Sequence, residues 1–240
     1  MAHEIRNGQV TEDARMDRIV QFDERSRAYS IREFTGNKPL RSYTWRCNET
    51  FDQGSDGACV AYSLGHELVA RPAEVEGITD RWMVENVYYE AQRNDPWEGG
   101  AYPGASPFYH GTSVLAGVKV LHKKGFFKEY RWGFSLNDVL NGVGHNGPAV
   151  IGVNWYDGMM LPDSSGYIRP TGRVAGGHAV LLRAVNVRER RVTIRNSWGK
   201  WWGMDGDAYM TFDDLGRLLS EYGEAVFLVG RTAKNFKASF

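Results

Sequence analysis

Cysteine is nearly absent from this sequence, with only Cys47 and Cys59 in 240 residues. Two thiols cannot staple a chain this long into a disulfide framework, so a reducing compartment and at least one free thiol are expected. Net charge is missing too, because 29 Lys and Arg balance 29 Asp and Glu. No basic stripe marks a nucleic-acid surface and no acidic tail is present. No apolar run reaches the roughly eighteen residues that a membrane-crossing helix needs. The first twenty residues also lack the apolar stretch of a secretory signal. These absences predict a soluble, cytoplasmic protein with no nucleic-acid or membrane partner. What the chain does have is 42% hydrophobic and 13% aromatic residues. That excludes wholesale disorder and is enough for one large domain or two lobes.

Three segments follow from the patterning. Residues 1–40 are charge-rich, and "TEDARMDRIVQFDERSRAYSIREF" places scattered apolar residues at helical spacing. This is read as a polar arm wrapping the body, in preference to a short regulatory pro-segment. Residues 41–132 carry three helix patterns. "ACVAYSLGHELVA" repeats Val60, Leu64 and Leu68 every fourth position and starts at Ala58–Cys59. "DRWMVENVYYEAQR" has Asp80 as expected N-cap, with Trp82, Val84, Val87 and Tyr88 facing the core. "TSVLAGVKVLHKKG" is capped by Thr112 or Ser113 and ended by Gly125. Residues 133–240 switch to short runs rich in Val, Ile, Thr and aromatics, such as "PAVIGVNWY", "HAVLLRAVNV" and "EAVFLVGR". The fold class expected is α+β, with a cleft where a helical lobe meets a β-rich one.

Cys59 stands at a helix start, where the helix dipole lowers a thiol pKa; an adjacent imidazolium would lower it further. Among six histidines, His3 lies in the arm and His66 is about two helical turns from Cys59. His110 and His145 are expected in loops, and His122 faces solvent. His178 opens a buried strand behind Gly176 and Gly177, glycines that admit a close backbone or substrate. Asn196, in "IRNSWGKWWGMDG", is placed to orient its ring, and Trp198 to cover that hydrogen bond. Gln53, just before the Cys59 helix, supplies an amide donor that could join the Cys59 N–H as an oxyanion hole. No metal-site spacing of Cys and His occurs, so neither metal nor cofactor is expected.

These stretches, "QGSDGACVAYS", "GHAV" and "NSWG" with Trp202-Gly203 and Gly206, resemble the papain-like cysteine peptidases from about Arg41 to Val229. The order Cys, His, Asn and the separations agree, and the helix patterns are similar to those of compact bacterial, archaeal and viral members without a long propeptide. The resemblance implies two lobes, one helical and one an antiparallel β-barrel-like sheet, with the active site between them. It implies Cys59 as nucleophile, His178 as general acid/base, Asn196 as its orienting partner and Gln53 in the oxyanion hole. Gly111 and Thr112, with Gly177, would hold substrate backbone, and Trp198 and Trp202 would line the leaving-group side. The implied activity is endopeptidase cleavage of peptide or protein substrates through a thioester. The rivals are a papain-fold subunit of a larger, for instance viral, assembly (hence virion-associated) and a cell-wall peptide amidase. Three departures stand out. Asp56 replaces a disulfide cysteine and would raise the Cys59 pKa if close, Val60 replaces a tryptophan, and Gly177 replaces an aspartate.

Overall fold

A computed structural model of the chain describes residues 3–5, 9–11 and 13–233. The expected change of character midway is observed. The helices lie mainly in the first half, with α2 at Cys59–Val69, α3 at Asp80–Met83, α4 at Tyr89–Asn94 and α5 at Val114–Lys123. Further on come α6 at Leu136–His145 and α7 at Phe212–Ser220. The seven-stranded antiparallel sheet is built from β3 (Tyr43–Thr44), β4 (Glu129–Trp132), β5 (Ala149–Tyr156), β6 (Val174–Asn186), β7 (Arg191–Arg195), β8 (Asp207–Thr211) and β9 (Glu224–Val229). Their order is β4-β9-β5-β6-β7-β8, with β3 against β6.

The period of two in the central strands sorts side chains into two cores. Val150, Ala179, Leu181, Val226 and Leu228 join the core of α2 and α5, with Val60, Leu64, Leu68, Val114, Val118 and Leu121. Their alternates Ile151, Val153, Trp155, Val180, Leu182 and Phe227 join the other core, with Val139, Val143, Leu215 and Leu218 of α6 and α7. Thus β5, β6 and β9 are a wall shared by both halves. Both faces are covered, which is why these strands read as near-continuous apolar runs.

Local details correct several expectations. Thr79, not Asp80, caps the second helix, its side chain accepting from the Trp82 N–H. A π-helical turn, Val84–Tyr88, separates α3 from α4. The extra residue per turn rotates the buried face to Met83, Val87, Tyr88 and Ala91, leaving Trp82 and Val84 half-buried. His145 ends α6 and is not in a loop. Gly65 lies where a Cβ would fall 1.9 Å from Met83 Sδ, so α2 and α3 pack there only because it has none.

The arm departs most. Beyond a short hairpin of β1 (His3–Ile5) and β2 (Gln9–Thr11), its helical elements are a 3₁₀ turn at Glu24–Ala28 and the single turn α1 at Arg32–Thr35. Between the hairpin and the 3₁₀ turn, past a turn at residues 14–15, the chain runs without helix, and Met16, Asp17, Arg18 and Ile19 are all buried.

Candidate active site

Cys59 is the first residue of α2 and fully buried. The preceding loop is held by Gln53, whose N–H donates to Ser197 O at 2.9 Å and whose carbonyl accepts from Asp56 N–H at 2.9 Å. Gly54 takes a positive φ of 57° to make that turn. Asp52 forms an antiparallel bridge with Trp198. The Gln53 loop and the Asn196–Trp198 loop are therefore stitched together, although they are far apart in sequence.

His178, on β6, is fully buried against two indoles, with ring centroids 4.8 Å from Trp155 and 5.0 Å from Trp198. Its Nε2 lies 2.8 Å from Asn196 Oδ1, and its Nδ1 lies 3.2 Å from the carbonyl of Arg15 in the arm. Asn196 Oδ1 also accepts the Ser197 N–H at 2.8 Å, which fixes it as an acceptor and so places the proton of a neutral ring on Nε2. Burial lowers the His178 pKa to about 4, against the opposing hydrogen bond with Asn196. Nδ1 faces the Arg15 carbonyl, an acceptor, so that contact is a hydrogen bond only when the ring carries a proton on both nitrogens.

The thiol also meets the arm. Cys59 Sγ donates to Asp17 Oδ1 at 3.2 Å, and Tyr88 Oη donates to Asp17 Oδ2 at 3.3 Å. The backbone amides of Gly111 and Cys59 are also turned on this carboxylate. Burial raises the Asp17 pKa to about 7. Burial, followed by the Asp17 charge, pushes the Cys59 thiol well above its usual value. The acid that opposes the thiolate is therefore Asp17, and the role expected of Asp56 falls to a residue of the arm. Gly57 makes room for it, since a Cβ there would lie 2.7 Å from Asp17 Oδ2.

Backbone pairing seats the arm. Arg18 N–H donates to Gly177 O at 3.0 Å, and Ile19 N–H to Thr112 O at 2.9 Å. A Cβ on Gly177 would meet Arg18 O at 2.2 Å, so the close approach expected of this glycine is the arm's own backbone. Gly111, with φ of 98°, faces Asp17 O in the same way. The Arg15 guanidinium stacks 4.2 Å above Trp198, and Arg18 forms a buried ion pair with Glu224.

Gln53 is buried with its amide oriented. Ser197 Oγ donates to its Oε1 at 2.6 Å, and its Nε2 donates to Asp56 O at 2.6 Å. Trp202 lies behind Trp198 and Trp155, fully buried, donating to Met160 O at 2.8 Å, while exposed Trp201 points outward. Cys47 is a free, buried thiol near the far end of α2, its pKa raised by burial to about 11. No cluster of His, Cys, Asp or Glu able to hold a metal occurs among the described residues. Likewise no helix among them is long and apolar enough to cross a membrane.

Sequence reasoning missed Asp17, Arg18, Tyr88 and Glu224. A strand lying in a cleft has walls on both sides, so its apolar residues show neither a period of two nor one of 3.6.

A cysteine at the start of α2, packed on the sheet whose strand β6 carries the histidine, sits within a mixed helix and antiparallel-sheet arrangement that is the papain-like fold. Superposition on xylellain, a cysteine protease from Xylella fastidiosa, gives a TM-score of 0.68 over 93% of this chain and 98% of that one, at 18% identity. The digestive procathepsin L 3 of Tenebrio molitor larval midgut gives 0.56 over 91% and 75%, at 14% identity. In sequence, a cathepsin B-like CP3 of Giardia intestinalis is 32% identical over 98 residues, 40% of this chain. The match spans 33% of that relative's length. No family model matches the chain.

Proposed function

We propose that the chain is a cysteine endopeptidase, held latent in the described state by residues 13–19 of its own arm. The observation that carries this reading is an extended peptide, the arm, seated by main-chain hydrogen bonds on Gly177 and Thr112 across Cys59 and His178. A cleft that binds one peptide backbone in this way suits another. What the arm offers Sγ is the Asp17 carboxylate, a poor electrophile, so the arm can sit there uncut.

With the arm withdrawn, Cys59 and Nδ1 of His178 lose their present partners and are free to engage each other. The proton passes from Sγ to Nδ1, giving a thiolate at the N-terminus of α2 and an imidazolium. Asn196 keeps the ring oriented through Nε2–H. Sγ attacks a peptide carbonyl carbon, and the oxyanion is received by the Cys59 N–H and the second N–H of Gln53 Nε2. The C–N bond breaks as Nδ1–H protonates the amine. Water, deprotonated by His178, then hydrolyses the thioester and regenerates the thiol. Trp198 shields the His178–Asn196 bond, and Trp202 supports Trp198 from behind.

The experiment is casein and peptide hydrolysis by the full chain, wild type and Arg18→Ala, each with and without Cys59→Ser. Activity rising in Arg18→Ala and absent with Cys59→Ser is expected. A folded Arg18→Ala chain whose Cys59 alkylates readily, yet which cuts neither casein nor peptides, would refute the peptidase reading. Release of stem peptides from peptidoglycan instead would favour a cell-wall amidase.

A further inference from the structure

Two turns along α2 from Cys59, about 10 Å of helix, stands His66, fully buried and unused by the reaction. Its Nε2 accepts the Phe51 N–H at 3.1 Å, and its ring lies 4.9 Å from the Phe51 ring. A nitrogen that accepts carries no proton, so the neutral ring has its proton on Nδ1. Burial, and then the Arg195 charge, hold the His66 pKa well below its usual value, which keeps Nε2 an acceptor. Nδ1 itself has no hydrogen-bond partner. A buried imidazole with one nitrogen stranded is a poor core residue, so what matters is the group that Nε2 holds. That group belongs to the segment before Gln53. The Phe51 carbonyl accepts the Gly199 N–H at 3.1 Å, and the Gln53 N–H donates to Ser197 O. Just upstream, Arg195 Nη1 donates to Glu49 O and Thr50 Oγ1. The Arg195, Ser197 and Gly199 contacts tie the segment to the β-rich half, and the His66 contact ties it to α2.

We infer that His66 is a positioning residue: by holding Phe51 it sets where the Gln53 amide stands relative to Cys59. The inference rests on the peptidase reading, in which Gln53 helps to receive the oxyanion. One rigid helix then carries the nucleophile at its start and the anchor of the oxyanion donor two turns later. The Gln53 amide takes its direction locally, from Ser197 Oγ and Asp56 O. Its placement along the cleft is set by the backbone two residues before it, at Phe51. An oxyanion donor works only within hydrogen-bond reach of the developing charge, so a small displacement is costly in rate. A side chain without an acceptor at position 66 would strand the buried Phe51 N–H, and the segment would shift to satisfy it. The two turns that put His66 out of reach of the thiol as a base suit it as a support.

The test uses the full chain carrying Arg18→Ala. Hydrolysis of a fluorogenic peptide and iodoacetamide labelling of Cys59 are measured on the same preparations. His66→Phe fills the space and removes the acceptor, whereas His66→Gln offers Oε1 in its place. His66→Phe should lower kcat roughly 10- to 100-fold with KM within about twofold. Cys59 labelling should stay within about twofold of the Arg18→Ala chain, because the thiol's own surroundings are untouched. His66→Gln should recover kcat to within about fivefold of the Arg18→Ala chain. An unchanged kcat in His66→Phe overturns the inference, as does a His66→Gln chain no faster than His66→Phe. Parallel loss of kcat and labelling also overturns it, since that is what a merely structural histidine gives. A second measurement needs no variant to fold: the scalar coupling between Phe51 N and His66 Nε2 across their hydrogen bond, read by NMR on the nitrogen-labelled wild-type chain. Absence of that coupling removes the anchor, even where peptides are cut. An Arg18→Ala chain that shows the coupling and labels quickly, yet cuts no peptide, sinks the peptidase reading and His66's part in the reaction with it.

Discussion

Replacing Arg18 by alanine removes the side chain that enters most deeply from the arm into the body, and its effect can be read at Cys59. Breaking a buried ion pair from one side costs about 3–5 kcal/mol when the remaining charge stays dry. Here water can follow into the vacated recess and rehydrate Glu224, which leaves about 2–3 kcal/mol of lost docking energy. At about 1.4 kcal/mol per tenfold, the undocked fraction rises roughly 30- to 150-fold. Cys59 is fully buried beneath Asp17, so alkylation proceeds through the undocked state and its rate scales with that fraction. The assay is iodoacetamide labelling near pH 8 followed by peptide mapping. Cys47 is the internal control, a buried thiol whose sulfur faces the carbonyls of Glu49 and His66. Cys59 labelling within about threefold of wild type would refute the idea that Arg18 anchors the arm. Parallel acceleration of both thiols would mean general loosening instead.

pH supplies a test whose sign is set by two groups. Asp17 titrates near 7 when docked, against 3.8 when free, so its contribution favours docking at low pH and is lost as pH rises towards 7. His178 titrates near 4 when docked, against 6.5 when free, so its contribution weakens docking as pH falls from 6.5 to 4. The two oppose each other between pH 4 and 6.5. Cys59 labelling, normalised to a free thiol, should be nearly flat there in wild type and climb towards acid in Asp17→Asn; identical profiles would remove Asp17 from the gate. In an Arg18→Ala background, Asn196→Ala strands His178 Nε2–H inside the indole wall and should lower kcat about 10- to 100-fold with little change in KM, measured by peptide hydrolysis. Gly65→Ala forces a Cβ against Met83 Sδ and should cost about 1–3 kcal/mol, a Tm fall of roughly 2–10 °C by calorimetry. An unchanged Tm would show that α2 and α3 yield there.

What the sequence made legible was whatever repeats or is spelled locally. The start of α2 at Cys59, the Ser113 cap of α5, the apolar strands and the nearness of His178 to Asn196 all follow from short-range patterning. The π turn at Val84–Tyr88 was hidden because an inserted residue leaves composition unchanged and only rotates the face. The arm's path was hidden for a different reason. Asp17 and Arg18 look like surface charges, and only the tertiary partners Tyr88 and Glu224, remote in sequence, make their burial tolerable. Asp56 drew attention by its closeness to Cys59 along the chain. Closeness in space belongs to Asp17, forty-two residues away in sequence.

Because the arm is part of the same chain as the cleft, its occupancy is an intramolecular equilibrium. Dilution cannot release it, and every molecule meets its own arm at an effective concentration on the order of millimolar. A peptide must therefore outbid a competitor that never diffuses away. Short or weakly held segments lose that contest. A segment that pairs along both Gly177 and Thr112 can win it. The arm would then act as a threshold on substrate affinity, filtering what is cut even when the cleft opens only briefly.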